Sequence, residues 1–559
     1  MGMTYPPLSG DSIRILDFNV SWDCSDPLCN FRVVSLNDPP DYTAISYCWG
    51  DSTEIARIKS CDGGSVPLSQ TLLGLFESLK KQYSNFSVWV DAICIDQANT
   101  REKESQIPLM GKVYSSAKEV LVWLGDSNDN TKKAFSFMNT EETNDSGLEQ
   151  VLLLLQRPWF QRVWVIQEAA SGTNIQIGCG DDRVGFNRFS DCISAIWNSF
   201  TGLARYYDYH PAILGLWCVT RLIDIREKFQ TETEKGRGVC YETLLQAVVH
   251  CQATRNCDKV FALQSIADSR PVPKPNYRIS EEQVFIKTAE ALLCNGASLD
   301  LLALCWTGDE RQQPSLPTWV PDLRCHIYAE PLVLCDFAGW NAGGTLQISP
   351  QIEAEPAHRL RLQAKLIDLV DLICPPFQST SITEQRAAIE AVWALRLRMP
   401  GNVSEKAWMA RLMSTLIMGI DIDDKPLESG MPRWDEYLGY FTEWFEWISS
   451  SSCRSDLRKI EANEYHRTTK PRIDAWKVFA TRQGFLCVGP EDVEKGDVVC
   501  TVPGCRVPLV LRPDLVKADD PTETDVVQTW TLVSWCFIDG LMFGEAAKLE
   551  KPFEEVLLR

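Results

Sequence analysis

The sequence predicts an α/β amino-terminal domain built on a parallel sheet, followed by a mainly helical region and a mixed α+β carboxy-terminal region. Short runs of β-branched and aromatic residues alternate with helical patterns from about residue 40 to residue 185. Strand signals become sparse after residue 186 and return near the end of the chain. Because strands that alternate with helices pair in parallel through crossover connections, the first region is an α/β unit. We place the domains at 1–185, 186–330 and 331–559.

Four apolar runs predict the strands of the first domain. Each is short enough to be a strand, and their near-continuous apolar character indicates a sheet that is covered on both faces. The runs are TAISYCW (43–49), VWVDAICI (88–95), EVLVWLG (119–125) and NIQIGCG (174–180).

Apolar stripes at helical spacing connect these strands. The first stripe runs over residues 72–79, and Ser69 precedes it as a plausible N-cap. The second runs over residues 107–117, where Pro108 marks a helix start or a kink. In the third connection the Arg157-Pro158 step divides two helices.

The remaining chain gives coarser signals. Helical periodicity dominates residues 186–330, and the polar, proline-bounded loop at 308–317 is the predicted boundary. RLRLQAKLIDLVDLIC (359–374) predicts a strand, and residues 384–460 predict helices. Short strands with turn residues between them follow, as in GDVVCTVPG and TWTLVSWCFIDG.

The charge balance excludes several classes of partner. With 55 basic and 75 acidic residues the net charge is −20, so the surface repels phosphate backbones and anionic lipid headgroups. No run approaches 18 apolar residues, and the amino terminus MGMTYPPLSGDSIRIL lacks the features of a secretory signal. We therefore expect a cytoplasmic protein that binds neither nucleic acid nor membranes.

Cysteine usage and the usual motifs give no metal or cofactor site. Twenty-one cysteines in 559 residues are too few for a disulfide scaffold, which favours buried free thiols in a reducing compartment. The half-sites CSDPLC (24–29) and CTVPGC (500–505) lack a second pair of zinc ligands. Patterns for a phosphate loop, a dinucleotide fingerprint, a nucleophile elbow and a zinc protease are absent. We expect no metal and no bound cofactor.

Three segments resemble, in order and spacing, the blocks that define the fungal heterokaryon-incompatibility (HET) domain. They are YTAISYCWGD (42–51), the stretch 88–126 that contains VDAICIDQANTREKE, and RPWFQRVWVIQEAA (157–170). Segments at 256–268, 316–323 and 479–512 are similar to the usual surroundings of that domain. Small departures are Cys48, Asp96 and Pro108, where the family commonly carries other residues.

The resemblance implies a role in fungal non-self recognition, in which contact between genetically different cells triggers death of the fused compartment. It also implies a flavodoxin-like fold, because HET domains resemble Toll/interleukin-receptor (TIR) domains. In TIR domains that cleave NAD, a glutamate four positions after an aromatic residue is catalytic. Carried over, these positions are Glu168 and Trp164. NAD would then be a substrate and not a bound cofactor.

The chemistry of that reaction suits the residues. Cleavage of the nicotinamide–ribose bond passes through an oxocarbenium-like state, which a carboxylate such as Glu168 stabilises. Ligands of open α/β sheets bind beyond the carboxyl ends of the strands, and residues 164 and 168 would share one helix face. The predicted substrate-binding residues are Tyr47, Trp49, Asp91, Asp96, Gln97, Arg162 and Trp164.

Structural roles remain open for the same residues. Glu168 in an amphipathic helix is compatible with a solvated position, and Trp49 with a packing role that closes its loop. Asp91 is also suited to cap a neighbouring helix or to pair with Arg162. Nucleophilic roles for Cys48 and Cys94 are disfavoured because no histidine is near them in sequence.

Three functions remain open at this stage. The first is an NAD glycohydrolase, and the second is a non-enzymatic, TIR-like module that self-associates or recruits an unknown protein partner. The third is a metabolic enzyme that reuses the crevice for a small molecule, since fold does not determine function. Residues from about 190 onward are expected to pack on the HET domain and restrain it.

Overall fold

The structure is a computed structural model that divides the chain into two compact units. Among the described residues, the first unit comprises those within 5–200, 211–269 and 273–280, and the second comprises those within 281–559 with the short piece 270–272. The residues described are 5–18, 28–51, 53–60, 64–140, 145–200, 211–296, 298–308, 316–324, 339–344, 346, 349–353, 358–377, 382–401, 403–423, 425–450, 462–473, 476–517 and 526–559.

A nine-stranded sheet forms the centre of the first unit, in the order β5-β4-β2-β1-β6-β3-β7-β8-β9. Its strands are β1 Ser12–Phe18, β2 Leu28–Ser35, β3 Thr43–Tyr47, β4 Ala56–Ser60, β5 Ser65–Leu68, β6 Phe86–Trp89, β7 Glu119–Trp123, β8 Ile175–Cys179 and β9 Asp182–Gly185.

Four neighbouring strands of this sheet are parallel. β3 pairs in parallel with β6 on one side and with β7 on the other, and β7 pairs in parallel with β8. Taken in chain order, these four strands follow the spatial order 2-1-3-4. The predicted parallel sheet is present only in this part, because β1 pairs antiparallel with β6 and β2, and β9 pairs antiparallel with β8. The sheet is therefore mixed.

Helices cover both faces of the four parallel strands, as their buried positions require. The core between the sheet and α1 includes Ile45, Tyr47, Leu75 and Phe76. The helices of the unit are α1 Gln70–Gln82, α2 Asp91–Cys94, α3 Thr100–Gln106, α4 Met110–Ser116, α5 Asp129–Asn139, α6 Asp145–Leu154, α7 Val165–Ser171, α8 Phe186–Phe200, α9 Pro211–Glu234, α10 Tyr241–Ala247 and α11 Asp258–Phe261.

Local signals of the sequence account for several helix ends. The predicted N-cap Ser69 accepts a hydrogen bond from the backbone N–H of Leu72 at 3.5 Å. Pro108 lies in a 3₁₀ turn over Ile107–Leu109 that leads into α4, and a second such turn at Pro158–Gln161 separates α6 from α7. These three predictions are confirmed.

The predicted strand at 88–95 is wrong over its second half. The strand ends at Trp89, and the chain then turns into α2. The Asp91 carboxylate accepts a hydrogen bond from the backbone N–H of Ala92 at 2.7 Å, and an acidic residue in the first turn favours a helix start. Since periodicity cannot distinguish a short buried helix from a strand, the apolar residues of α2 gave the same signal as a strand.

The segment around α7 is attached to the helices that follow it in the chain. Arg226 of α9 is buried and donates to the carbonyl groups of Ala169 and Gly172, the latter at 2.6 Å. Before α7, Val163 and Gln252 pair through the backbone, with the Val163 N–H 3.0 Å from the Gln252 carbonyl oxygen. The compact unit that contains the sheet therefore includes residues well beyond 185.

The second unit contains another sheet, in which five strands form a closed ring of pairings. The order is β14-β15-β16-β18-β11, and β14 also pairs with β11. The strands of the unit are β10 Gln351–Glu353, β11 Arg359–Ile373, β12 Trp476–Thr481, β13 Leu486–Pro490, β14 Val498–Thr501, β15 Leu509–Lys517, β16 Val526–Trp535, β17 Phe537–Ile538 and β18 Glu554–Leu558.

Helices complete the second unit, which agrees with a mixed α+β region. They are α12 Glu281–Asn295, α13 Ile382–Leu395, α14 Glu405–Leu416, α15 Pro432–Ser449 and α16 Glu464–Ile473. Most of the predicted boundary loop at 308–317 lies outside the described residues. Across the described part of both units, no helix has the length and apolar character needed to cross a membrane.

Candidate functional site

Glu168 lies in a buried polar cluster against the central strand β3. Ser46 points from β3 toward α7, and its hydroxyl donates a short hydrogen bond to the Glu168 carboxylate. The indole N–H of Trp159 in turn donates to the Ser46 hydroxyl oxygen at 2.7 Å. A chain of polar groups therefore runs from Trp159 through Ser46 to Glu168, and all three residues are buried.

Burial controls the charge of Glu168. Only 2% of this residue is exposed, and removal from water raises the pKa of its carboxyl to about 7. The positive charge of Arg162 and the Ser46 hydrogen bond oppose this rise, whereas the negative charge of Asp91 adds to it. Near neutral pH the folded protein thus contains Glu168 in both protonated and ionised forms.

Arg162 and Asp91 extend the cluster toward the surface. The Arg162 guanidinium donates to the backbone carbonyl of Tyr47, and its positive charge interacts with the negative charges of both Glu168 and Asp91. Burial raises the pKa of the Asp91 carboxyl, while Arg162 lowers it. The indole N–H of Trp49 donates to Asp91 at 2.9 Å, and 36% of Trp49 remains exposed. A partly exposed aromatic ring therefore marks the solvent side of the cluster.

Gln97 belongs to the same group, since its side-chain amide donates to the backbone carbonyl of Asp91 at 2.8 Å. The structure thus brings together most of the predicted site residues. They are Tyr47, Trp49, Asp91, Gln97, Arg162 and Glu168.

Two predicted site residues have their polar contacts elsewhere. Trp164 precedes the first residue of α7, and its indole N–H donates to Asp258 at 3.3 Å. The same carboxylate accepts from the Tyr277 hydroxyl at 2.9 Å. Asp96 accepts from the backbone N–H of Ala98 at 3.1 Å, which closes a turn. The side chains of Trp164 and Asp96 therefore have these partners outside the Glu168 cluster, although the Trp164 carbonyl oxygen accepts a hydrogen bond from the Glu168 backbone N–H at 3.4 Å.

Ser46 and Trp159 are the members of the cluster that the sequence did not single out. Ser46 places a hydroxyl between Ile45 and Tyr47 in a buried strand. A buried hydroxyl needs a hydrogen-bond partner, so a polar side chain is expected to pack against it. From the sequence alone, Trp159 is expected to be a core residue. Its hydrogen bond to Ser46 depends on the turn at Pro158–Gln161, which residue patterns do not specify.

The described residues contain no group of three or more histidine, cysteine, aspartate or glutamate side chains arranged to hold a metal ion. Cys500 and Cys505 are buried free thiols, and Cys24 lies outside the described residues. Burial raises the pKa of the Cys94 thiol to about 12, which makes it a poor nucleophile at neutral pH.

The fold and this cluster define an α/β-sheet protein with a buried acid beside its central strand, followed in the chain by a unit with a closed ring of strands. Two family models match these parts: heterokaryon incompatibility protein (HET) at residues 42–168, and Het-6 beta-barrel domain at residues 434–557. The HET domain that the sequence blocks indicated is thus confirmed by the family match at residues 42–168.

Named relatives agree with these matches. The chain is 23% identical to heterokaryon incompatibility protein 6, OR allele, of Neurospora crassa, across 96% of this chain and 94% of that protein. It is 26% identical to vegetative incompatibility protein HET-E-1 of Podospora anserina, across 24% of this chain and 10% of that protein. No solved structure matches the chain.

Proposed function

We propose that this chain acts in fungal non-self recognition and triggers death of fused cells. The similarity to a heterokaryon incompatibility protein extends over almost the whole of both chains, so it includes the second unit as well as the sheet with Glu168. The HET family match ends at Glu168 itself. In this proposal the protein acts in the cytoplasm, and an unknown protein partner or a second copy supplies the trigger.

We further propose that the first unit hydrolyses the nicotinamide–ribose bond of NAD, with Glu168 as the catalytic residue. The observation that carries this proposal is a buried carboxyl whose pKa is raised to about 7, beside Arg162 and Asp91. Strongly shifted carboxyl groups with a specific charge partner are typical of catalytic sites. The 2-1-3-4 order of the four parallel strands supports a TIR-like, flavodoxin-like relationship.

The residues suit the reaction as follows. The ionised Glu168 would stabilise the positive charge that develops on the ribose as nicotinamide leaves. Trp49 would present its exposed ring to a base, since aromatic planes bind nucleobases by stacking. Because Glu168 is covered in this structure, the reaction requires the carboxyl to exchange its Ser46 hydrogen bond for contact with the substrate.

Nicotinamide release by the purified full chain tests this proposal. Glu168→Gln keeps the size of the side chain and removes its charge, so we expect activity to fall at least a hundredfold. Glu77→Gln removes a carboxylate on the exposed side of α1 and serves as the matched control. Full activity of Glu168→Gln would overturn the catalytic assignment, as would a wild-type protein that leaves NAD intact.

One observation favours a non-enzymatic alternative. Only 2% of the surface of Glu168 is exposed, and its carboxylate is hydrogen-bonded to Ser46, as expected for a structural residue. The first unit would then act as a TIR-like module that self-associates and recruits partners. Cell death that persists with Glu168→Gln in a fungal host, together with an oligomer seen by light scattering, would favour assembly over hydrolysis.

A further inference from the structure

The strap, residues 273–280 (PKPNYRIS), is the segment of the first unit that leads into the second unit. It is followed directly by Glu281, the first residue of α12. Its own contacts are with the first unit, where the Gln264 side chain donates to the carbonyl oxygen of Pro273 at 2.5 Å. Only residues 278–280 lie between Tyr277 and α12. A shift of the first residues of α12 therefore acts on Tyr277 through a short length of chain.

Tyr277 attaches the strap to α3 and to the turn before α11. Its backbone N–H donates to the Glu104 carboxylate at 3.3 Å, and its carbonyl oxygen accepts from the Arg255 guanidinium at 3.3 Å. Two cations also contact the ring: the Arg255 guanidinium carbon lies 4.8 Å from the ring centre, and the Lys103 ammonium nitrogen lies 5.7 Å from it. Contacts between a cation and an aromatic ring are attractive. Both the backbone and the ring of Tyr277 are thus held.

The Tyr277 hydroxyl reaches the buried carboxylate of Asp258, which connects the strap to Trp164. One carboxylate oxygen of Asp258 accepts from the Tyr277 hydroxyl at 2.9 Å, and the other accepts from the indole N–H of Trp164 at 3.3 Å. Only 8% of Asp258 is exposed, so its carboxylate depends on such donors. Loss of the Tyr277 hydroxyl removes the shorter of the two bonds. The position of Asp258, and with it that of the Trp164 indole, therefore depends on the strap.

Trp164 passes this dependence on to Glu168 through the backbone of α7. Trp164 is the N-cap of α7, and its carbonyl oxygen accepts a hydrogen bond from the Glu168 backbone N–H at 3.4 Å. Glu168 thus lies in the first turn of the helix, which begins at the residue that Asp258 holds. The contact between the Glu168 carboxylate and Ser46 requires this turn to stay in place against β3.

We propose that Asp258 and Tyr277 are positioning residues for Glu168, through which the strap restrains the carboxyl in its covered position against Ser46. While Tyr277 is bound to Asp258, the first turn of α7 stays in place and Glu168 is kept from the substrate. A change in the second unit that displaces the start of α12 would loosen this turn. Both positioning residues lie outside the HET family match at residues 42–168. As a control of hydrolysis, this inference rests on the proposed function of Glu168.

Hydrogen–deuterium exchange of the full chain, followed by mass spectrometry, tests the restraint without a substrate. Tyr277→Phe removes the hydroxyl and keeps the ring beside its two cations. The loss of one hydrogen bond to a charged group should make amide exchange in Val165–Ser171 about tenfold faster. Tyr83→Phe makes the same change at an exposed tyrosine that caps the end of α1, and it is the matched control.

Exchange in α1 separates a local effect from a general loss of stability. In Tyr277→Phe the amides of Gln70–Gln82 should exchange as in wild type, because α1 has no part in the contacts of the strap. Exchange in α7 that is equal in Tyr277→Phe and wild type would overturn the proposal. So would exchange that becomes faster to the same degree in α1 and α7.

The pH profile of nicotinamide release tests whether the strap acts on Glu168 itself. Burial raises the pKa of this carboxyl to about 7, so a less restrained and better hydrated carboxyl should have a lower pKa. The acidic limb of the profile should therefore move to lower pH in Tyr277→Phe, by roughly half a unit or more. The charged and titratable groups that act on Glu168 are the same in both proteins; they are Arg162, Asp91 and Tyr114. An acidic limb that stays in place or moves to higher pH would contradict the positioning role.

A second variant tests whether Asp258 and Tyr277 act as one restraint. Asp258→Asn keeps the size of the side chain and one acceptor oxygen, so it also removes one of the two bonds and should speed exchange in α7. The two changes together should have no larger effect than the stronger one alone. Additive effects would refute a shared restraint.

The two kinds of measurement separate failure of this inference from failure of the proposed function. If wild type and Tyr277→Phe both leave NAD intact while α7 exchanges faster in the variant, hydrolysis is wrong and the restraint of α7 is supported. If wild type hydrolyses NAD and Tyr277→Phe changes neither exchange in α7 nor the pH profile, the restraint is wrong and hydrolysis stands.

Discussion

The raised pKa of Glu168 makes the stability of the first unit depend on pH. Between pH 4.5 and about 7 the folded protein keeps the Glu168 proton, whereas the unfolded chain loses it. The free energy of unfolding therefore decreases as the pH rises through this interval. A rise in pKa from 4.5 to about 7 corresponds to a loss of roughly 3 kcal/mol, which is complete above pH 7.

Glu168→Gln removes this dependence, because the amide does not titrate. Differences in packing and hydrogen bonding between the two side chains are the same at every pH. The stability of the variant relative to wild type should thus improve by about 3 kcal/mol between pH 4.5 and pH 8. Melting temperatures of both proteins, measured at half-unit pH steps, should reveal a relative shift of roughly 5–10 °C.

The comparison isolates one carboxyl group. Titrating groups that do not interact with Glu168 are present in both proteins and cancel in the difference, whereas Asp91 and Arg162 are coupled to Glu168 and contribute to it. The exposed Glu77→Gln variant provides the baseline for removal of a carboxylate that is in water. If the difference in melting temperature between Glu168→Gln and wild type is constant from pH 4.5 to pH 8, burial does not raise the pKa of the Glu168 carboxyl.

Three further predictions concern the surroundings of the cluster. Arg162→Ala removes the cation that opposes the rise in the pKa of Glu168, so the free energy of unfolding should fall by roughly 2–3 kcal/mol at pH 8 and clearly less at pH 5. Equal losses at the two pH values would contradict this. Arg226→Ala should lower the free energy of unfolding by on the order of 3 kcal/mol, because the carbonyl groups at the end of α7 lose a charged donor. Thermal melts check both, and an unchanged melt of Arg226→Ala would rule out this role. Iodoacetamide should modify the exposed Cys240 well before the buried Cys94, which mass spectrometry of the native protein resolves; the reverse order would contradict the burial.

The sequence predicted the four parallel strands of the first sheet but not the antiparallel strand β1 beside them. Strands β3, β7 and β8 and the start of β6 carry apolar residues on both faces, and such strands are visible in a single sequence. Strand β1, which lies between β2 and β6, was not predicted, although it pairs with β6 at Leu16 and Val88. That pairing joins residues far apart in the chain, and local patterns contain no information about it.

Residues of the candidate site could be predicted from the sequence only where they follow the end of a strand or lie in a segment that resembles the HET domain. Glu168 came from the resemblance, because nothing in the local pattern distinguishes it from a solvated glutamate. Its burial against Ser46 depends on how α7 packs on β3, which is a tertiary property. Trp164 is the N-cap of α7 with helical backbone angles, and its carbonyl oxygen accepts from the Glu168 N–H at 3.4 Å, so the predicted one-turn spacing is present. The indole of Trp164 then reaches Asp258, outside the predicted crevice.

The closed ring of strands in the second unit has a consequence for the timing of synthesis. Strand β11 pairs with β18, and the paired residues Ala364 and Glu554 are 190 positions apart. At typical translation rates this interval takes roughly 10–40 s, during which β11 has no partner on that edge. An unpaired strand edge can pair with other chains, so this edge of β11 is open to such pairing until β18 leaves the ribosome.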